Sequence, residues 1–415
     1  MKKKSGLLNC IIIAGLLFNM QGCAELKDFS YDKEENMNIS RISDEPQSEG
    51  EELDESVADD CKTENPIEAD NDIFEQMPKI YYAYHNLEED EKKLYLEIYD
   101  ILTNIDDNVY ISTTDKQIID PVFNCVLNDH PELFYVEGYE YTEYKTAGYT
   151  TRIAFSGRYN MSVEEIEQNQ MLIDQRVNEY LANIPETTDE YYKVKYIYEY
   201  LIYNTEYDSE AENNQNICSV FIEGRSVCQG YAKAFQYLLN KLDIQSYLVT
   251  GFVNSGRHAW NLVRVNNEYY YIDPTWGDAS YSVREDESES SDGFCPDINY
   301  DYFLVSTEEL MKTHSLEKVV QLPECNSITD NYFVREGLYI TEYNEQQLLN
   351  IFDSEAVRAA DYVTIKCCDS YTFDIVRSKL IDEQRVFSLI SNRGRSIAYA
   401  NNSTQRTISF WNIFN

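Results

Sequence analysis

Two signals between Ser226 and Asp273 leave this chain little freedom. Ser226 followed by Gln229 has the spacing of a capping box, and Tyr231, Ala234, Phe235, Leu238, Leu239 and Leu242 then recur on one face of a helix. Beyond it, Arg257 to Val265 alternates like a half-buried strand, Asn266-Asn267 is turn chemistry, and Glu268 to Asp273 reads as a tyrosine-rich second strand. A helix with one apolar stripe and a hairpin with one apolar face bury those surfaces against each other. The stretch therefore predicts an α+β core, with the helix packed on an antiparallel sheet.

Three side chains in this stretch are suited to acyl chemistry: a nucleophile, a base and an orienting carboxylate. Cys228 falls in the first turn of the helix, where backbone N–H groups lack intrahelical acceptors and the helix dipole favours a thiolate. Gly230 and Ala232 keep the bulk around it small, as the approach of a substrate backbone requires. A two-residue turn sets Val265 opposite Glu268 and Trp260 opposite Asp273, which makes His258 and Asp273 diagonal neighbours on one face. A three-residue loop would place them on opposite faces. Buried structural thiols and lone histidines are common; it is the helix start and the two partners downstream that argue for chemistry. His85, His130 and His314 have no cysteine and carboxylate arranged in this way.

The segments VCQGYAKAFQYLL, HAWNLV and YYYIDPTWGD resemble the three blocks of the transglutaminase-like superfamily, whose fold is related to that of papain-type thiol proteases. The resemblance covers roughly residues 190 to 280. It implies a papain-like core, with Cys228 as nucleophile, His258 as base and Asp273 as orienting acid. HPELFYVEGYEY upstream and YDYFLVSTEELMKTHS downstream are similar to clostridial-type cell-surface members. The activity implied is cleavage or transfer at an amide bond of a protein or peptide, as a cysteine protease, amidase or transglutaminase. The backbone N–H of Cys228 would serve as one oxyanion donor. Ile222 stands where papain-type proteases carry a glutamine, leaving Tyr207 and Gln229 as candidates for the second. Trp260, Trp276 and Tyr231 are candidates for walls of a substrate cleft. The alternative is a non-catalytic surface module that uses the same cleft to bind a ligand.

The remaining sequence sets the surroundings. Lys2, Lys3 and Lys4 precede a short apolar run from Leu7 to Phe18, which has the pattern of an export signal and is too short to span a membrane. It ends at Gly22-Cys23, similar to the lipobox of bacterial lipoproteins, although Met20 and Gln21 depart from the usual residues. This predicts residues 1–23 as a signal with a lipid anchor on Cys23, or else ordinary cleavage and release; either way the protein is exported. Residues 24–75 are rich in Asp and Glu and read as an acidic tether. An N-terminal α+β region is expected over 76–184, the catalytic core over 185–320 and a small α+β domain over 325–415. From residue 300 onward Tyr300–Val305, Tyr332–Ile340, Tyr362–Cys367 and Thr407–Phe414 read as strands and Glu345–Phe352 and Phe373–Leu380 as helices.

A net charge of −40 excludes nucleic acid as a partner, because phosphate binding needs clustered Lys and Arg. The acidic run EDESESSD after Trp276 lacks the glycine-punctuated spacing of a calcium loop, and no Cys-x-x-Cys pair exists for zinc. No metal or cofactor is expected, and nothing in the sequence fixes an oligomeric state.

Overall fold

Helix starts show the local sequence signals at work. In the computed structural model, which describes residues 77–146, 149–185, 188–253, 256–278, 298–317, 319–390 and 397–414, Glu88 and Glu91 close a reciprocal capping box ahead of α1 (Glu89–Asn104). Ser162 and Glu165 do the same for α3 (Val163–Leu181), and the Asp189 side chain caps α4 (Glu190–Asn204). Between these lie α2 (Ile119–Asp129) and a three-stranded sheet of β1 (Val109–Ile111), β2 (Val136–Thr146) and β3 (Tyr149–Tyr159), in the order β1-β3-β2.

After α4, the two-residue strands β4 (Glu206–Tyr207) and β5 (Arg225–Ser226) pair in parallel and lead the chain into α5 (Cys228–Asn240). A four-stranded antiparallel sheet follows, in the order β8-β7-β6-β9. It consists of β6 (Ser246–Val253), β7 (Gly256–Val265), β8 (Glu268–Ile272) and β9 (His314–Leu316). Val265 pairs with Glu268, and Asn266 and Asn267 both have positive φ, of 50° and 70°. This is a two-residue turn matched to strand twist, in the register expected from the sequence.

Buried apolar side chains from Tyr82 to Cys325 form one continuous cluster. The segment before residue 184 thus shares the core of the one behind it. A separate cluster, Ile340 to Ile413, sits between a second sheet and its helices. That sheet runs β10-β11-β13-β12, from β10 (Tyr339–Ile340), β11 (Tyr362–Cys367), β12 (Ala398–Asn402) and β13 (Thr407–Trp411). Its helices include α6 (Glu345–Phe352), α7 (Glu355–Ala360) and α8 (Ser370–Arg377).

Several local expectations are corrected. Ser226 does not cap α5: Val227 is the N-cap, and the Ser226 hydroxyl instead donates to the Asn214 carbonyl and meets Ser219 Oγ at 2.7 Å. The run Tyr332–Ile340 is not one strand. Asn331 caps a helical turn over Tyr332–Arg335, Gly337 (φ +72°) ends it, and only Tyr339–Ile340 is extended. Residues 300–305 form a turn with Leu304 at φ 51°, meeting the end of β8 through a Tyr271–Val305 bridge and a bond from the Asp273 N–H to the Tyr302 carbonyl at 3.1 Å. The helix α2 went unread because Pro121 lies inside it, yet in the first turn proline costs no hydrogen bond. The signal, the tether and the EDESESSD run lie outside the described residues.

Candidate active site

Cys228 is the first helical residue of α5, so its N–H has no acceptor within the helix. Its side chain is half-buried and rests on Ala232, Leu248 and Ala259. Helix α5 is tied to β7 by Asn261, fully buried, whose Nδ2 donates to the Ala232 carbonyl at 3.0 Å. That bond fixes the sulfur relative to the strand carrying His258. The small residue at Gly230 serves the fold rather than a substrate: a Cβ there would collide with Ser226 Oγ and crowd the Asn214 carbonyl.

His258 and Asp273 meet as the register requires. His258 Nε2 donates to Asp273 Oδ2 at 2.7 Å, leaving Nδ1 as the ring nitrogen to take a proton from Cys228, which is near enough to help raise the His258 pKa. Asp273 is fully buried at the end of β8, where it caps the helical turn Pro274–Gly277 with Pro274 at its first position. Its Oδ1 accepts from the Thr275 and Trp276 N–H groups at 2.9 and 3.1 Å. One oxygen is thus held by backbone and the other faces the imidazole.

The electrostatics follow from this geometry. Burial disfavours the His258 imidazolium, but the Asp273 carboxylate and then Cys228 outweigh it and raise His258 from its ordinary 6.5 to about 10. Burial would likewise push Asp273 up, yet His258 and His314 hold its carboxyl well below the usual range.

His314, which the sequence set aside, reaches the same carboxylate: its Nε2 lies 3.2 Å from Asp273 Oδ2. It comes from β9, on the far edge of the sheet, which pairs with β6 through Gly251 and Leu316. Gly251 makes this approach possible, because a Cβ there would strike the Ser315 carbonyl and stand 2.7 Å from the Trp260 ring. The one signal for His314 was its place in the YDYFLVSTEELMKTHS segment; pairing between β6 and β9, more than 60 residues apart, leaves no local trace.

Of the three wall candidates, two are fully buried and border no open cleft. Trp260 is fully buried, its indole 5.9 Å from His258 and edge-on to His314 at 4.9 Å. Tyr231 is fully buried, donating to the Thr205 carbonyl at 2.8 Å, with its hydroxyl 3.0 Å from Asp278 Oδ2. Both are core: Trp260 stands on the same face of β7 as His258 but is covered by His314, and Tyr231 is closed in by Thr205 and Asp278. Trp276 is half-buried, 5.8 Å from His258 and 4.6 Å from His314, and is placed to border the sulfur's surroundings. Of the oxyanion candidates, Tyr207 pairs beside Ser226 at the entry to α5, and Gln229 is buried in its first turn.

Ligand atoms of His258, Asp273 and His314 lie within 4.8 Å of one another. The 2.7 Å contact is a charge-assisted hydrogen bond. Two ligands of a tetrahedral ion with bonds of about 2.0–2.1 Å would stand roughly 3.3 Å apart. The cluster is therefore a hydrogen-bonded one as it stands.

Residues 178–274 match the transglutaminase-like superfamily. No curated protein matches the chain. Similar solved structures include a TGase, at 19% identity and a TM-score of 0.25, over 39% of this chain and 48% of that one. A cysteine-protease candidate from Cytophaga hutchinsonii is similar at 17% identity and a TM-score of 0.23, over 33% and 61%. The periplasmic domain of TgpA from Pseudomonas aeruginosa, bound to ethylmercury, is similar at 13% identity and a TM-score of 0.20, over 33% and 60%. The matched stretch carries Cys228, His258 and Asp273, and it is a transglutaminase-like domain within an α+β chain.

Proposed function

We propose that this chain is a thiol-dependent acyl-transfer enzyme acting on amide bonds of proteins or peptides. The observation that carries the reading is a His258 imidazole bonded to a buried Asp273 and raised in pKa by both Asp273 and Cys228, with Cys228 at a helix start. The thiol proton of Cys228 passes to His258 Nδ1, and Asp273 stabilises the imidazolium and fixes its ring. The sulfur adds to the amide carbonyl, whose oxygen is met by the Cys228 N–H. The C–N bond breaks, the leaving nitrogen takes the proton from His258, and a thioester remains on Cys228. Water or an amine then gives its proton to His258 and adds to the thioester carbonyl. The C–S bond breaks, and the thiol recovers its proton. Water gives hydrolysis, and an amine gives a new amide.

The test offers glutaminyl peptides to the purified protein with and without a fluorescent primary amine, alongside Cys228→Ala. Amine incorporation means transfer; release of ammonia or peptide alone means hydrolysis. Loss of either in Cys228→Ala supports the proposal. A peptide panel left untouched while Cys228 alkylates only as an ordinary thiol, near about pH 8.5, refutes it. We place the enzyme outside the cell, held by a lipid on Cys23, on the strength of the lysine-led apolar run and Gly22-Cys23.

A further inference from the structure

A buried chain of side-chain hydrogen bonds runs from the C-terminal sheet to the site carboxylate. Gln405, in the turn between β12 and β13, is fully buried, and its Nε2 donates to the Tyr302 hydroxyl at 2.9 Å. Tyr302 Oη lies 3.0 Å from Thr313 Oγ1, which lies 2.9 Å from His314 Nδ1. His314 Nε2 closes the chain on Asp273 Oδ2 at 3.2 Å.

The direction of every proton follows. Burial, the largest influence on His314, lowers its pKa despite Asp273 and the Leu310 carbonyl, which favours the neutral ring. Asp273 accepts only, so the single ring proton sits on Nε2 and Nδ1 presents a lone pair. Facing that lone pair, Thr313 O–H donates to Nδ1 at 2.9 Å in preference to the Leu310 carbonyl at 3.4 Å, Tyr302 O–H donates to Thr313 Oγ1, and the Gln405 amide to Tyr302. The far end is anchored too: Lys366 Nζ donates to the Gln405 carbonyl at 2.8 Å, and Asn402 and Thr407 donate to the buried Asp301 at 3.3 and 3.2 Å.

We infer that His314 is a positioning residue for the site, a second imidazole that shares Asp273 Oδ2 with His258, and that the C-terminal β12–β13 turn orients it through Tyr302 and Thr313. With both N–H groups on one oxygen, part of the carboxylate's charge is committed to His314. His258 therefore holds its proton less tightly than it would facing Asp273 alone, and gives it up more readily to a leaving nitrogen. Other titratable groups facing this cluster are Cys228 from α5, Tyr198 from α4, whose hydroxyl lies 3.4 Å from the Asp273 carbonyl, Asp278 after the Pro274–Gly277 turn, and Asp301 beside Tyr302. His314 lies outside the matched stretch 178–274.

This inference rests on the Cys228–His258–Asp273 reading, and alkylation separates the two without any substrate. An ion pair alkylates in two steps with pH, the lower as the thiol ionises and the upper as His258 loses its proton. A wild-type profile with one step near about pH 8.5 defeats the functional proposal. Given two steps, His314→Phe keeps the ring's bulk, removes the donor, and should move the upper step up by about one pH unit. His314→Gln, which retains an amide donor, should return it toward the wild-type position. Tyr302→Phe and Gln405→Met break the chain farther out and should move the step the same way by less. They keep the test alive if His314→Phe does not fold. A role in packing alone would lower the melting temperature and leave the upper step in place. That result, in His314→Phe or in both outer variants, overturns the inference.

Discussion

Replacing Asp273 by asparagine should reverse the pH dependence that His258 gives to folding stability. In the native protein His258 is raised to about 10, against about 6.5 in an unfolded chain. A raised histidine contributes stability that is fully present below the unfolded value and lost as pH climbs through the folded one. The window is therefore pH 6.5 to about 10. At about 1.4 kcal/mol per pH unit, the interaction amounts to roughly 5 kcal/mol at its full extent. Both partners are buried, so little is lost to solvent screening. In Asp273→Asn the backbone N–H groups of Thr275 and Trp276 still require an acceptor, so the amide oxygen takes the place of Oδ1 and the NH2 faces His258. An NH2 group cannot stabilise an imidazolium. Burial alone then governs the ring and pushes it below 6.5, so the variant's His258 contribution grows with pH up to that value. The imidazole must also present a lone pair at Nε2, which puts its proton on Nδ1, toward the sulfur, and removes the base. Denaturant titrations of wild type and variant at unit steps from pH 6 to 10 check this. The stability difference should shrink by several kcal/mol toward alkaline pH, with Cys228 alkylation at pH 6 lost in the variant. A difference that stays flat with pH would mean that the His258–Asp273 contact does not hold the proton, and the electrostatic account would fall.

Three further outcomes follow from other parts of the structure. Gly251→Ala sets a methyl against the Ser315 carbonyl and the Trp260 ring, so it should cost about 1–3 kcal/mol and cut amide turnover by displacing β9, both read by thermal melts and peptide assays. Asn261→Ala removes the buried donor to the Ala232 carbonyl and should cost about 1–3 kcal/mol, with faster amide hydrogen exchange in the first turns of α5. Cys23→Ala should move the protein from the membrane fraction to the medium and abolish labelling by an alkynyl fatty acid.

How far the sequence spoke depended on the distance over which each signal acts. The pair His258–Asp273 was legible because one hairpin and one two-residue turn fix it, and the observed pairing of Val265 with Glu268 is the expected one. Cys228 was legible as a helix-start residue for the same reason, although the capping device was not: Ser226 is drawn into a loop by Asn214 and Ser219, and no pattern within α5 reports that loop. Trp260 and Tyr231 misled because an aromatic beside a reactive group reads alike whether its face is open or packed, and only the tertiary fold says which. In the tail, Glu345–Phe352 and Tyr362–Cys367 carry strong periodicity and came out as read. Tyr332–Ile340 did not, because one asparagine cap outweighs the strand preference of the aromatic and branched residues after it.

His314 shows what lies past that horizon, and why the described fold needs its flanks. The matched stretch ends at residue 274, yet Asp273 is completed by a histidine 41 residues later on another strand. That strand reaches the sheet because Gly251 has no side chain, and its histidine is oriented by a hydroxyl chain that starts at the β12–β13 turn of the second sheet. A domain cut at the end of the match would keep Cys228, His258 and Asp273, but would leave Asp273 Oδ2 with one donor, strip Oδ1 of the Thr275 and Trp276 N–H groups, and open the buried face of Trp260. Such a truncation should therefore lose the native upper step of Cys228 alkylation even where the helix and hairpin still form.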